Sequence, residues 1–276
     1  MRTIIYSLLE RLFGRSIARA KRAICTMLIA GFTIALHSAE GPTVLVYTHN
    51  GLTVDGKKGY VHDNIADCVK AIEKIGTENG FKAIHSDDPA VFAKGELKRY
   101  RAIIFANSNN QAFDTEEQRQ AFHDYIKGGG GFVGIHSATG SERDWAWYSK
   151  LIGGTFDWHA SLQKFTVQVV DKKHPATSFF QGDTWDWEDE FYVMKEQPKG
   201  VRVLLAGNIK PLKGVDKEKH PNLPDSIPLA WCHEYEGARS FYTALGHKKE
   251  YYSDSTYLKH LAGGIRWALK MDHSVQ

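Results

Sequence analysis

Apolar residues fall into blocks along this chain, and the period within each block changes from one to the next. Thr43-Val-Leu-Val-Tyr47 is a short, nearly continuous apolar run, the pattern of a buried strand. Ile65, Cys68, Val69, Ile72 and Ile75 recur at helical spacing, and Asn79-Gly80 supplies a stop. Phe81–Ile84 and Arg101–Ala106 read as the second and third strands. Thr115 with Gln118 three residues on makes a capping box, and Phe122, Tyr125 and Ile126 give that helix one apolar face before Gly128 ends it. Phe132–Ile135 is a fourth strand. Strand, helix, strand, strand, helix, strand predicts a parallel sheet with helices on both faces.

The second half is richer in strand patterns. Phe165–Val170, Phe191–Val193 and Val201–Leu205 read as strands. Pro228–Tyr235 and Arg239–Leu245 flank Glu236-Gly237-Ala238, the pattern of a hairpin, and Leu258, Leu261, Ile265 and Ala268 form one face of a last helix. No internal repeat or low-complexity linker interrupts residues 40–276, which read as one α/β domain.

Residues 1–39 follow another plan. Arg11, Arg15, Arg19, Lys21 and Arg22 precede the apolar stretch Ala23–Leu36, which is short for a membrane span and ends in His37-Ser-Ala39. The expectation is a cleaved signal peptide and a periplasmic or secreted protein with no stable membrane insertion; a retained anchor is the other reading. This changes the charge. The whole chain of 276 residues is formally +3, but residues 1–39 hold six of its 35 Lys/Arg and one of its 32 Asp/Glu. That leaves 29 against 31, a net of −2, and no basic excess to bind nucleic acid. Cys68 and Cys232 remain beyond the leader, with no CxxC; one bridge is open to them, but two buried thiols fit the spacing better.

Ligands of open α/β sheets gather at the carboxyl ends of the strands. His49 and Asn50 follow the first strand, Asn107, Ser108 and Asn109 the third, and His136 and Ser137 the fourth. Histidines also stand at 62, 159, 174, 233 and 247, without the HxxxH spacing that binds zinc from one helix, so a metal site would draw on distant segments. Trp145, Trp147, Trp158, Trp185 and Trp187 cluster in mid-sequence beside Asp183, Asp186, Glu188, Asp189 and Glu190, a composition suited to stacking on sugar rings and accepting their hydroxyls. Glu188 and Glu190 share a face if their segment is extended.

The run GGGFVGIHSA (Gly129–Ala138), then Trp147-Tyr148, Leu151-Ile-Gly-Gly154, Phe156, His159, His174-Pro175, Asp189-Glu-Phe-Tyr192 and Phe241-Tyr-Thr-Ala-Leu-Gly-His247, resembles the ThuA-like (trehalose utilisation) family from about Thr43 to Ala268. The resemblance implies a class I glutamine amidotransferase-like fold: a flavodoxin-like three-layer α/β sandwich with a mostly parallel central sheet. In those amidotransferases the turn after a strand carries a catalytic cysteine; here His136 stands there, so thiol-dependent glutamine hydrolysis is not expected. The resemblance further implies a role in carbohydrate catabolism. It carries over His62, His136, His159, Glu190 and His247 one by one, while the long loop from His49 to Tyr60 departs from the family pattern.

The resulting expectation is a sugar-active hydrolase, lyase or isomerase for a disaccharide or keto-sugar. His136, His159 and Glu190 are its catalytic candidates, and Asn107, Ser137, Trp147, Trp187, Tyr192 and His247 its substrate-binding candidates. A divalent metal such as zinc on His62, His136 and His159, or His136 acting as a base without metal, both fit, and no nucleotide cofactor is expected. The alternative is a non-catalytic carbohydrate-binding module that uses Trp145, Trp147 and Trp187. The oligomeric state is left open, a homo-oligomer included.

Overall fold

Strand β1 (Thr43–Tyr47) sends Val44 and Val46 into one apolar cluster and Leu45 and Tyr47 into another. A strand buried on both faces lies at the centre of a layered α/β fold. In the computed structural model, which describes residues 41–93, 95–215 and 223–271, β1 lies inside a nine-stranded sheet ordered β2-β1-β3-β4-β9-β8-β7-β5-β6. The leader expected at residues 1–39 lies outside the described residues.

The first five strands of that order are β2 (Lys82–Ser86), β1, β3 (Ala102–Ala106), β4 (Gly131–Ile135) and β9 (Ala238–Thr243), and all of them run parallel. This is the flavodoxin-like 2-1-3-4-5 order, with β9 as the fifth strand. Helices α1 (Ile65–Asn79) and α4 (Ser255–Ala268) bury Cys68, Ile72, Leu261 and Ile265 on one face. Helices α2 (Glu116–Lys127) and α3 (Ala146–Ile152) bury Phe122, Ile126, Tyr148 and Leu151 on the other. The three-layer sandwich follows from this division.

The antiparallel half adds β8 (Ser226–Tyr235), β7 (Arg202–Asn208), β5 (Phe156–Val169) and β6 (Thr184–Met194) beyond β9. The β8–β9 hairpin turns on Glu236 and Gly237, both at positive φ (46° and 89°), the requirement of a type I′ turn. Thr115 and Gln118 form the expected capping box of α2. Three expectations need revision. Strand β5 starts at Phe156, nine residues before the predicted start, β6 extends over Thr184–Met194, and Ala146–Ile152 is helical although no helix was expected there.

His260, buried in α4, donates from Nδ1 to the Ala176 carbonyl at 2.9 Å, and burial pushes it down to about 4 from an ordinary 6.5. The unfolded chain takes up a proton below 6.5 that the folded chain refuses until about 4. Stability from this group is therefore complete above pH 6.5 and lost as pH falls toward 4. Relative to H260Q, which keeps a side-chain donor and does not titrate, the wild type is expected to lose about 3 kcal/mol between pH 7.5 and 4 in urea unfolding. A gap that does not change with pH would contradict this.

Candidate active site

His136 is the first residue past β4, and its backbone sits at φ 50°, a left-handed conformation that costs a non-glycine residue free energy. Asn107, at the matching place after β3, has φ 54°. The two adjacent strands thus end in sharp turns. The turn after β4 aims the His136 ring back over the sheet edge, and that ring is fully buried. Its Nδ1–H donates to the Ala244 carbonyl, just past β9, at 2.7 Å. A carbonyl only accepts, so Nε2 of the neutral ring carries the bare lone pair.

That lone pair meets a crowded neighbourhood. His62 Nε2 lies 3.1 Å away, the Tyr192 hydroxyl donates at 3.0 Å, and Glu190 Oε2 is at 3.7 Å. His247 Nδ1 stands 3.3 Å from the same Glu190 oxygen. His62, His136, Glu190 and His247 each offer one ligand atom, all within 4.8 Å of one another, the cluster of this kind among the described residues. Ligands of a tetrahedral zinc are separated by about 3.3 Å, given bonds of about 2.0 Å. Three of the six separations, 3.1, 3.3 and 3.7 Å, lie about that edge, and none of the six exceeds 4.8 Å. Two imidazole nitrogens 3.1 Å apart need a proton or a cation between them.

Burial keeps all three rings neutral, and a neutral ring can either place its one N–H between the two nitrogens or leave both lone pairs to a cation. Burial, then the neighbouring His62, holds His136 well below the usual histidine range; burial and then His247 bring His62 to about 4; burial and His159 lower His247. Neutral imidazoles are the form that binds metal. The His136–carbonyl bond is the outer-shell partner that a metal-binding histidine ordinarily has. The donor set therefore fits a divalent ion. Burial raises Glu190 to about 7 and keeps Tyr192 a phenol.

The His247 loop is held from below. Asp189, fully buried on β6, accepts from Gly246 N at 2.8 Å, His247 N at 3.3 Å, Glu190 N at 2.9 Å and Trp187 Nε1 at 3.0 Å. Burial lifts its carboxyl to about 7 against the pull of these donors. Asn64 Nδ2 reaches the carbonyls of Gly246 (2.7 Å) and His247 (2.6 Å), so the loop before α1 grips the loop after β9.

Above the cluster opens a cleft of about 300 Å³ lined by Tyr60, His62, Asn109, Ser137, Gly140, Arg143, Phe156, His159, Glu190, Tyr192 and His247. A larger groove of about 760 Å³ lies at the opposite ends of the strands, along Lys98, Arg99, Tyr125 and Gly128–Gly130, away from the histidines. We place the chemistry in the smaller cleft, because the ligating and titrating groups converge there.

Of the residues expected from sequence, His62, Ser137, His159, Glu190, Tyr192 and His247 line the cleft, and His136 lies fully buried behind them, against His62, Glu190 and Tyr192. Four of the expected residues need further description. His159 stands at the mouth, its side chain 39% exposed and Nδ1 3.5 Å from Glu190 Oε1; the compact donor set takes His247 and Glu190 in its place. Asn107 lies behind the site and donates to the Tyr252 hydroxyl at 2.8 Å. Trp147 packs beside Trp145 and Tyr235 and donates to Glu236 at the hairpin turn. Trp187 is buried on the other face of the sheet, against Tyr251 and Tyr257. Trp145 and Trp147 thus pack against one face, and Trp158, Trp185 and Trp187 against the other. They form no common platform for a sugar, which removes the support for a tryptophan-based binding module.

Glu188 turns from the cleft to pair with Lys248. Cys68 and Cys232 are buried free thiols, both pushed up to about 12 by burial, so neither supplies a thiolate. Sequence reasoning missed Tyr60, Asn109 as a lining residue, Arg143 and Phe156. The available signal was position: Arg143 follows the β4 turn closely, as His136 does.

A family model described as ThuA, trehalose utilisation, matches residues 50–268. Among solved structures, a putative ThuA-like protein from Bacteroides uniformis is 23% identical, with 85% of this chain and 95% of that one covered and a TM-score of 0.63. A putative ThuA-like protein from Parabacteroides merdae is 19% identical, covering 86% and 92%, at a TM-score of 0.64. A comparison with curated proteins finds no match.

Proposed function

Because the chain belongs to the ThuA, trehalose-utilisation, family, we propose that it is a carbohydrate-catabolism enzyme acting on a disaccharide or keto-sugar at the His/Glu cleft. The observation that carries this reading is the convergence of His62, His136, Glu190 and His247 around one point, beneath a cleft large enough for a sugar ring. We read these four as the holders of a divalent ion of the zinc type. Such an ion, when bound, polarises a carbonyl or acidifies a water.

The remaining steps fall to the chain's own groups. His159, half-exposed at the mouth and outside the donor set, exchanges a proton with the substrate, either at a carbon next to a ketone or at the oxygen of a leaving sugar. Tyr192, kept protonated by burial, has its hydroxyl 3.0 Å from His136 Nε2, and its proton is free for the substrate when an ion takes that lone pair. Phe156 and Tyr60 provide aromatic faces for the ring. Export through a cleaved leader at residues 1–39 belongs to this reading, and the mass of the purified mature protein tests it.

The direct test is elemental analysis of protein purified without chelator, followed by a screen of mono- and disaccharides and their 3-keto forms. The expected result is about one divalent ion per chain and turnover that disappears on chelation and returns with metal. Protein free of metal and active after chelation would leave His136 as an unassisted base and overturn the metal assignment.

A further inference from the structure

Arg143 contributes the one Lys or Arg side chain among the residues that line the cleft. It also borders a second hollow of about 220 Å³, whose lining includes the acids Asp55, Glu142 and Asp144; Asp55 pairs with Lys57 and Glu142 with Arg119. The Arg143 guanidinium is fixed by neutral groups. Nε donates to the Gly140 carbonyl at 3.0 Å, Nη2 donates to Asn109 Oδ1 at 3.4 Å, and the group lies over the Phe156 ring at 5.2 Å. Its neighbour Glu142, which could have neutralised it, turns inward instead, to Arg119 at 2.7 Å and to Ala112 N at 2.7 Å. Among the described residues Arg143 makes no ion pair. Five N–H donors minus these two leave both hydrogens of Nη1 and one of Nη2, the edge that takes a carboxylate in a bidentate pair.

We propose that Arg143 binds a carboxylate of the substrate, so that the sugar taken by this site is acidic, of the uronic-acid class. The inference rests on the sugar reading above and narrows it. Arg143 is exposed at the edge of the cleft, held by neutral groups and open to a ligand anion, and its planar fork matches a carboxylate. The preceding Gly140 supports the design. A Cβ there would lie 2.4 Å from Asn109 Oδ1 and 3.0 Å from Arg143 Nη2, so only glycine leaves the guanidinium its anchor.

The test is calorimetric titration of the metal-loaded protein with both anomers of methyl glucuronide and methyl glucoside, which differ only at C6. The wild type is expected to bind the uronide at least about tenfold more tightly than the glucoside. R143Q should abolish that gap with little effect on glucoside binding, R143K should keep part of it, and G140A should reduce it. Thermal melts check that each variant folds. Equal binding of acid and neutral sugar by the wild type, or a gap that survives in R143Q, overturns the role of Arg143 and leaves the sugar site standing. Binding of none of the four glycosides overturns this inference, while the screen of saccharides and their 3-keto forms decides the sugar reading separately.

Discussion

Replacing His136 with alanine is expected to lower affinity for a divalent ion at least about a hundredfold, because it removes a ligand and not merely an outer-shell partner. The ring is fully buried, its tautomer is set by Ala244, and its free nitrogen faces His62, Glu190 and Tyr192. Alanine at φ 50° also inherits the backbone strain, so loss of fold is the competing explanation. His136→Asn separates the two, since asparagine tolerates the left-handed region and offers no imidazole. Competition against a chromophoric chelator gives the affinity, and thermal unfolding with and without metal gives the fold. His159→Ala is expected to keep the ion and lose turnover. An unchanged affinity in folded H136N, or metal loss in H159A, would reverse these assignments.

Asp189→Ala is expected to be the most destabilising single change near the site, at about 4 kcal/mol in urea unfolding. The lost carboxylate strands four N–H donors at once, those of Gly246, His247, Glu190 and Trp187. A buried donor without a partner costs about 1–3 kcal/mol, and neighbouring losses do not add fully. Trp187→Phe, which removes one donor and keeps the packing, should cost only about 1 kcal/mol. The same change to Asp189 frees the His247 backbone, so metal affinity should fall about tenfold or more in protein that remains folded. A stability loss below 1 kcal/mol for D189A would mean that solvent reaches these donors.

The parallel half of the sheet was legible because its strands are buried on both faces and therefore read as apolar runs: 43–47, 101–106 and 132–135 all fall where β1, β3 and β4 lie. The hairpin was legible from Glu236-Gly237, since positive φ at both positions has few other uses. Strand β5 was not. Its first half does alternate, with Phe156, Trp158 and Ala160 on the covered side and Asp157, His159 and Ser161 on the exposed one, but Gly153-Gly154 before it and the irregular pairing after Ala160 separate this short run from the clearer one at 165–170. His136, Glu190 and His247 were found through motifs, yet their separations were not, because those depend on how β6 and the loop after β9 meet over the parallel sheet. The tryptophans misled for a physical reason. Trp185 and Trp187, two apart on β6, share one side of the sheet, while Trp145 and Trp147, at the start of the helix at 146–152, pack on the other. Arg143, inside Ser-Glu-Arg-Asp, looks like an ordinary solvated turn; only the inward rotation of Glu142 sets it apart.

The sheet also orders events in time. The four clustered donors arrive from a loop after the first strand, a turn after the fourth, the sixth strand and a loop after the last. A nascent chain that has emerged only as far as β4 has two of them and no means of closing the ring. Contacts of such long sequence separation form late and slowly. On the proposed reading, capture of an ion works as a signature of completed folding: a chain shortened before β9 should retain the apolar runs of the other parallel strands and yet hold no metal at this place.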